Sequence, residues 1–260
     1  MAFHHTNNIA RFNSDSSASL LDFYESNVKE ALRLKAAEPS QHTFAPSSIR
    51  CQRKSWFRIR GTEPDVPEVI DTTLQFTADI GTACHRIIQT NLKNFLGKDW
   101  ISIPDWFEQN QFNYEYVLTP SKDSLETYVE LTKPYPIRFA CDGIIRWKGK
   151  YYLLEIKSVE FSSWRDLTDQ KDEHTDQVNT YCTLLNLSGV LFIYIDRQYG
   201  GMKCYEYNVS DIVKEQVIKD MDNVMFCVDA NIPPEPLPKG DKWCNAGMCP
   251  YYKKCAEWGR

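Results

Sequence analysis

The sequence lacks several features that would indicate a membrane location, secretion or a nucleic-acid partner. No run approaches 18 consecutive apolar residues, so the sequence predicts no membrane span. Residues 1–8 lack the apolar segment of a secretory signal. Positive charge is not in excess, because the net charge is −5 with a pI near 5.6. A nucleic-acid partner would therefore have to be met by a local basic patch or through bound metal ions.

Nine cysteines are present, although the chain shows no export signal. This combination indicates thiols or metal ligands in a reducing compartment rather than a disulfide framework. The hydrophobic share of 42% and the charged share of 25% are typical of globular proteins. We therefore expect a soluble cytoplasmic protein with a flexible N-terminus at residues 1–16 and a single domain over residues 17–260.

Periodicity predicts a mixture of helices and strands. Helices are predicted from Ser17, from Pro46 to about Arg60, from Asp71 to Leu96, from Asp172 to Leu187 and from Ser210. The third has an apolar side formed by Phe76, Ile80, Ile87 and Phe95. Strands are predicted at 112–118, 137–147, 151–159, 190–195 and 203–207. The central order of helix, three strands, helix and strand predicts an α/β fold with a mixed central sheet flanked by helices.

Two carboxylates and a lysine are predicted to meet on one hairpin. If Lys148 and Gly149 form a two-residue turn, Asp142 faces Glu155 with the Cβ atoms about 5 Å apart. Lys157 lies two residues beyond Glu155 and projects from the same face. Such carboxylates repel each other unless a cation lies between them, so the group suits a hard divalent metal and a phosphate. The alternative is a solvated charged face.

Three polar residues on two helices are candidate companions of this hairpin. His85 follows Gly81 by one helical turn, which leaves space beside an imidazole able to bind manganese or a similar ion. Gln177 and Tyr181 lie four residues apart on one helix face, where they could hold a phosphate or position Lys157. A structural histidine and a partly buried polar pair are the alternatives.

Taken together, these residues resemble the PD-(D/E)XK nuclease superfamily, specifically its RecB-like branch. The resemblance covers residues 46 to 255 and rests on motifs that are individually weak and jointly specific. They are Gly81-x-x-x-His85, Asp142, Glu155-Ile156-Lys157 and Gln177-x-x-x-Tyr181.

The resemblance implies a restriction-endonuclease-like core and a role for each motif residue. His85, Asp142, Glu155 and the carbonyl of Ile156 would bind the catalytic Mg²⁺ or Mn²⁺. Lys157 would orient the attacking water and stabilise the developing phosphorane charge, while Gln177 and Tyr181 would support the site and the substrate. Glu115 is a weaker candidate for an accessory carboxylate.

A second metal site is predicted from cysteines. Cys244, Cys249 and Cys255 follow a proline-rich stretch, and Cys51 in the other flank is the predicted fourth ligand of a tetrahedral thiolate site. The pattern resembles CRISPR-associated iron–sulfur exonucleases and AddB-type nucleases, in which four cysteines hold a [4Fe–4S] cluster. This implies a clasp between residues 46–60 and 240–260, with zinc as the alternative metal. The other cysteines are predicted core residues: Cys84, Cys141, Cys182, Cys204 and Cys227.

The segment around Cys51 is basic and holds no acid. Five cations accompany two aromatic rings here, and they could contact phosphates and unpaired bases of DNA. The residues are Arg50, Arg53, Lys54, Arg58 and Arg60, with Trp56 and Phe57. Alternatively, this face packs beside the cluster with both rings in the core.

The resulting hypothesis is a metal-dependent DNA nuclease, an exonuclease acting on single strands or frayed ends, with 5′→3′ polarity implied by the resemblance alone. Its setting would be recombination, repair or DNA processing, with a helicase or recombination protein as a compatible partner. Two alternatives are a metal-clasped DNA-binding or assembly subunit with little catalysis, and a zinc-stabilised binding module. The sequence predicts no oligomeric state.

Overall fold

A computed structural model of the chain describes residues 20–36, 42–65, 71–121, 124–247 and 249–259. The predicted flexible segment 1–16 and the helix start at Ser17 lie outside these residues. In the part of the chain that is described, no helix combines the length and apolar character that a membrane span requires.

Eight α-helices are described. They are α1 (Leu20–Ala36), α2 (Gln52–Ile59), α3 (Thr72–Leu96), α4 (Ile103–Asn110), α5 (Phe161–Arg165), α6 (Asp172–Leu184), α7 (Asp211–Ala230) and α8 (Tyr252–Glu257). Asp71 and Ser210 cap α3 and α7 as side-chain acceptors, which explains why those two starts could be predicted.

The described strands form two sheets. They are β1 (Trp100–Ile101), β2 (Glu115–Pro120), β3 (Thr127–Lys133), β4 (Ile137–Phe139), β5 (Gly143–Trp147), β6 (Lys150–Val159), β7 (Gly189–Asp196) and β8 (Met202–Asn208). The larger sheet has the order β1-β5-β6-β7-β8, and its β6–β7 pair is parallel while its other pairs are antiparallel. The smaller sheet, β2-β3-β4, is antiparallel. The prediction of an α/β fold with a mixed central sheet and flanking helices is confirmed.

The predicted continuous strand 137–147 is wrong, because this stretch divides between the two sheets. Ile137–Phe139 pairs with β3, whereas Gly143–Trp147 pairs with β6. The chain passes from one sheet to the other over residues 140–142, so Asp142 stands where the two sheets meet. Strand β3 and helix α4 were not predicted, although β3 alternates between buried and exposed residues.

Two helix predictions also need correction. The helix predicted from Pro46 to Arg60 is a 3₁₀ turn at Pro46–Ser48 followed by α2, and the break places Cys51 at the N-cap. On α3, the predicted apolar side is largely exposed, since Phe76, Ile87 and Phe95 face solvent. The helix instead approaches the sheet through Gly81, where a Cβ atom would lie 2.9 Å from Ser158 Oγ.

The two faces of β6 contact different helices. Leu154 and Ile156 pack with Ile88 of α3, whereas Leu153 belongs to the larger core together with Val178 of α6. Because side chains alternate along a strand, Glu155 and Lys157 point to the α6 side.

Candidate active site

The β5–β6 hairpin has the predicted register. Lys148 and Gly149 have φ angles of 49° and 82°, the left-handed conformation that a two-residue type I′ turn requires at both positions. Trp147 pairs with Lys150, and Gly143 pairs with Leu154. Asp142 immediately precedes this ladder, at the position that the same register places opposite Glu155.

The Asp142 carboxylate joins α3 to β6. Its Oδ1 lies 2.8 Å from Nδ1 of His85, and its Oδ2 accepts the backbone N–H of Ile156 at 2.5 Å. The side chain of Gln89, one turn after His85, donates to the backbone carbonyl of Asp142 at 2.9 Å. Asp142 is only 7% exposed, so these contacts fix the orientation of a nearly buried carboxylate.

Glu155 begins a chain of polar contacts that ends on α6. Its Oε1 lies 2.6 Å from Nζ of Lys157, which donates to Oε1 of Gln177 at 3.0 Å. The Gln177 amide then donates to the Tyr181 hydroxyl at 2.7 Å, and the buried ring of Tyr181 stacks on Phe139. The four predicted residues are therefore adjacent in space.

The electrostatics of the site favour bound positive charge. Burial, followed by the negative charge of Asp142, raises the pKa of Glu155 to about 7. Burial acts to lower the pKa of His85, but the hydrogen bond and charge of Asp142 outweigh it, and this pKa is raised. A cation at the site would favour the ionised carboxylates.

Glu126 is a candidate ligand that the sequence analysis missed. Ligand atoms of His85, Glu126 and Asp142 all lie within 4.8 Å of one another. Burial and the charge of Asp142 raise the pKa of Glu126, as expected for clustered carboxylates. Glu115, the predicted accessory carboxylate, instead pairs with Lys133 at 3.0 Å and is exposed. The signal that could have pointed to Glu126 is the strand that directly follows it, β3, in which buried and exposed residues alternate.

The four predicted cluster cysteines line one cavity, together with Arg53, Phe57 and Tyr251. They are Cys51, Cys244, Cys249 and Cys255. Burial raises the pKa of the Cys51 thiol, and the charges of the other three cysteines act in the same direction, which reflects their proximity. Of the five predicted core cysteines, Cys141, Cys182 and Cys227 are buried, Cys84 is half-buried and Cys204 is exposed, so the prediction for Cys204 is wrong.

The two chain flanks around this cavity contact each other at several points. The guanidinium of Arg53, which is 4% exposed, donates to the carbonyls of Pro234 and Gly259 at 2.5 and 3.3 Å. Phe57 stacks on Tyr251, with ring centroids 5.2 Å apart. These contacts join residues near Cys51 to residues near Cys255.

The remaining residues of the basic segment differ in their access to solvent. Trp56 is buried and its indole N–H donates to the carbonyl of Cys227, so neither Trp56 nor Arg53 presents a free face to DNA. Lys54 and Arg58 are half-buried, and Arg58 donates to the carbonyl of Thr43. Arg50 and Arg60 are exposed; Arg50 lies 3.5 Å from Asp241, and Arg60 covers the Trp56 ring at 4.7 Å.

Comparisons with known proteins give only distant structural likenesses. No protein-family model and no curated protein matches the sequence. The chain is similar to the crystal structure of SSO0001, with a TM-score of 0.47 and 14% identity over 91% of this chain and 96% of that one. It is also similar to an alkaline exonuclease (LHK-Exo) from Laribacter hongkongensis, with a TM-score of 0.44 and 10% identity over 76% of this chain and 93% of that one. For LHK-Exo in complex with dAMP, the TM-score is 0.43 with 12% identity over 74% and 90%.

Proposed function

We propose that this protein is a metal-dependent DNA nuclease of the PD-(D/E)XK type that hydrolyses phosphodiester bonds. The observation that supports it best is the convergence of Asp142, Glu155 and Lys157 with His85 at the junction of the two sheets. The Glu155 side chain is 3% exposed, and in this buried position it lies 2.6 Å from Lys157 and close to the carboxylate of Asp142. Burying such a cluster costs stability, so its retention favours a chemical role.

The donor atoms at the site fit a hard divalent cation. An imidazole nitrogen and two carboxylates, from His85, Glu126 and Asp142, are acceptable ligands for Mn²⁺, and the carboxylates suit Mg²⁺. Glu155 and the Ile156 carbonyl complete the proposed ligand set. A bound ion would supply Lewis-acid charge beside the scissile phosphate.

The side chains of this chain have distinct proposed tasks. Asp142 is oriented by the Ile156 N–H and by His85, so it presents a fixed carboxylate. Lys157 is held between Glu155 and Gln177, from which position its ammonium would orient the attacking water and stabilise the negative charge that develops on the oxygens of the phosphorane. Tyr181 would hold the Gln177 amide and thereby keep Lys157 in place.

The proposed substrate is a single strand or a frayed end of DNA, and the proposed setting is recombination, repair or DNA processing. Exonucleolytic cleavage with 5′→3′ polarity is taken from the family resemblance.

The test compares the cleavage of linear single strands, circular single strands and blunt duplex DNA, with separate 5′ and 3′ labels and Mn²⁺. We expect mononucleotides from the linear strand and an intact circle. Cleavage of the circle would overturn the exonuclease proposal. Binding without any cleavage by folded, metal-loaded protein would favour the alternative of a DNA-binding or assembly subunit.

The four-cysteine cavity is proposed to hold a [4Fe–4S] cluster. This proposal rests on the resemblance to the iron–sulfur nucleases and on the four cysteines that line the cavity. Zinc is the alternative, because four thiolates also form tetrahedral zinc sites.

The identity of this metal can be tested directly. Protein purified without oxygen should be brown, absorb broadly near about 400 nm, and contain iron and acid-labile sulfide. The Cys249→Ser variant should lose this absorption, while Cys204→Ser, a control at an exposed cysteine, should retain it. Colourless wild-type protein that contains stoichiometric zinc would contradict the proposal.

From the basic segment, we retain Arg50, Lys54, Arg58 and Arg60 as proposed phosphate contacts. Arg53 and Trp56 are left out because their polar groups are bound inside the protein.

A further inference from the structure

Two neighbouring cavities meet at the side chain of Arg197. The first has a volume of about 480 Å³ and is lined by His85 and Glu126 at the candidate metal site, together with Tyr128 and Ser158. The second is lined by Phe161, Ser162 and Gln198. Arg197 lines both cavities, so a chain molecule that leaves the metal site along this path passes Arg197.

The turn that contains Arg197 is held in a defined conformation. Its backbone N–H donates to the carbonyl of Val159 at 3.0 Å, on the strand that carries Glu155 and Lys157. The neighbouring Asp196 carboxylate is buried and accepts the backbone N–H groups of Gln198 and Tyr199 at 2.9 and 3.0 Å. The position of Arg197 is therefore fixed relative to the candidate active site.

The guanidinium of Arg197 is available to an anion. It lies 3.6 Å from the carboxylate of Glu160, which is 75% exposed. An ion pair with so exposed a partner contributes little stability, and a phosphate could replace the carboxylate at small cost. The Arg197 side chain itself is mostly covered, so few of its conformations need to be lost on binding.

Aromatic rings continue the path beyond Arg197. Tyr199 is 71% exposed, and its ring meets that of Phe161 edge to face with centroids 5.1 Å apart. Phe161 in turn stacks on Trp164 at 6.3 Å. An arginine followed by accessible aromatic rings is the combination that binds unpaired nucleotides, because every base has a face that can stack.

We propose that Arg197, Phe161 and Tyr199 form a binding site for single-stranded DNA that leads into the candidate active site. Arg197 contacts a backbone phosphate of the bound strand, and the rings of Tyr199 and Phe161 stack on unpaired bases. Paired bases do not offer these faces, so the site selects a single strand or a frayed end. This inference rests on the proposed nuclease function and adds the residues that hold the substrate.

The test measures binding of a fluorescein-labelled oligothymidylate by fluorescence anisotropy in Ca²⁺ at several salt concentrations. For Arg197→Gln, the slope of log affinity against log salt should fall by about 0.7, the contribution of one phosphate contact in a single strand, whereas Arg197→Lys should keep it. Tyr199→Ala should weaken binding about five- to hundredfold, and Tyr199→Trp should restore it. A purely structural role would not change the salt slope.

Matched controls lie on α1, where Arg33 and Tyr24 are exposed. Arg33→Gln and Tyr24→Ala should bind the oligonucleotide like the wild type. If Arg197→Gln and Tyr199→Ala behave like these controls, or if folded wild-type protein does not bind the oligonucleotide, the inference is overturned. Cleavage of the same oligonucleotide with Mn²⁺ separates the two proposals: binding without cleavage contradicts the nuclease, while the Arg197 slope still decides the binding site.

Discussion

The ammonium of Lys157 lies 3.0 Å from the amide oxygen of Gln177, and this contact joins the central sheet to α6. The same ammonium lies 2.6 Å from Glu155, so it is held between a carboxylate on β6 and an amide on α6. Gln177 therefore helps to fix the position of the lysine charge. Lys157 and Gln177 are 20 residues apart in the sequence, and the chain between them contains α5 and the loop that leads to α6.

Substitution of Gln177 should impair turnover more than stability. We expect Gln177→Ala to lower kcat about ten- to hundredfold, a typical cost of losing a group that orients a ligand or catalytic side chain, with little change in KM. Gln216→Ala, at an exposed glutamine on α7, is the control. Steady-state cleavage of a labelled single strand gives both constants. A Gln177→Ala enzyme with wild-type kcat would exclude the positioning role.

Glu126 should contribute to metal affinity. Its oxygen lies within 4.8 Å of ligand atoms of His85 and Asp142, so Glu126→Gln should raise the dissociation constant for Mn²⁺ about ten- to hundredfold. Glu130→Gln is a matched control, because Glu130 is exposed on β3, the strand that begins immediately after Glu126. Isothermal titration with MnCl₂ measures both variants. Equal affinities for the two would remove Glu126 from the ligand set.

The stability of metal-free protein should fall as the pH rises. The pKa of Glu155 is raised by burial and by Asp142 from 4.5 to about 7, so the folded state keeps a proton that the unfolded state releases. The resulting stabilisation, on the order of 3 kcal/mol, is complete below about pH 4.5 and is lost as the pH passes 7. The raised pKa of His85, where Asp142 outweighs burial, acts in the same direction above pH 6.5.

Urea denaturation of metal-free protein between about pH 5 and about pH 8 measures this dependence. We expect the free energy of unfolding to decrease across this range in the wild type and to change much less in Glu155→Gln. Parallel curves for the two proteins would show that Glu155 does not titrate in this way.

Arg53 should matter for folding rather than for DNA contact. Removing its guanidinium leaves the buried carbonyls near Pro234 and Cys255 without a donor, at a cost of about 1–3 kcal/mol for each unsatisfied group. Arg53→Ala should therefore lower Tm clearly, while Arg50→Ala, at an exposed site, should change it little. Differential scanning calorimetry makes the comparison. Arg53→Ala with unchanged Tm and weakened DNA binding would restore the phosphate-contact interpretation.

Structure could be predicted from the sequence at the positions where local chemistry decides it. Lys148-Gly149 dictates a two-residue turn, and the turn fixes the register that brings Asp142 next to the Glu155 segment. Likewise, the four-residue spacing of Gln177 and Tyr181 places both on one face of α6, where they hydrogen-bond. Asp71 and Ser210 predicted the starts of α3 and α7, because their side chains accept backbone N–H groups of the first helical turn.

Features that depend on the packing of distant segments could not be predicted in this way. The division of 137–147 between two sheets follows from pairing with β3, a strand that was itself missed. Glu126 reaches the site only because of that small sheet. On α3, Gly81 lies close to the sheet and the apolar residues Phe76 and Phe95 are exposed, against what helical periodicity alone indicates.

Cleavage of end-labelled single-stranded DNA by anaerobically purified protein with Mn²⁺ tests the central claim most directly, with Lys157→Ala compared with Lys150→Ala. Both lysines lie on β6, but Lys150 is exposed at the hairpin and Lys157 contacts Glu155 and Gln177. We expect Mn²⁺-dependent cleavage by wild type and Lys150→Ala, and a rate lower by more than about a hundredfold in Lys157→Ala. Equal cleavage by the two variants, or no cleavage by folded, metal-loaded wild type, would contradict the proposed nuclease site.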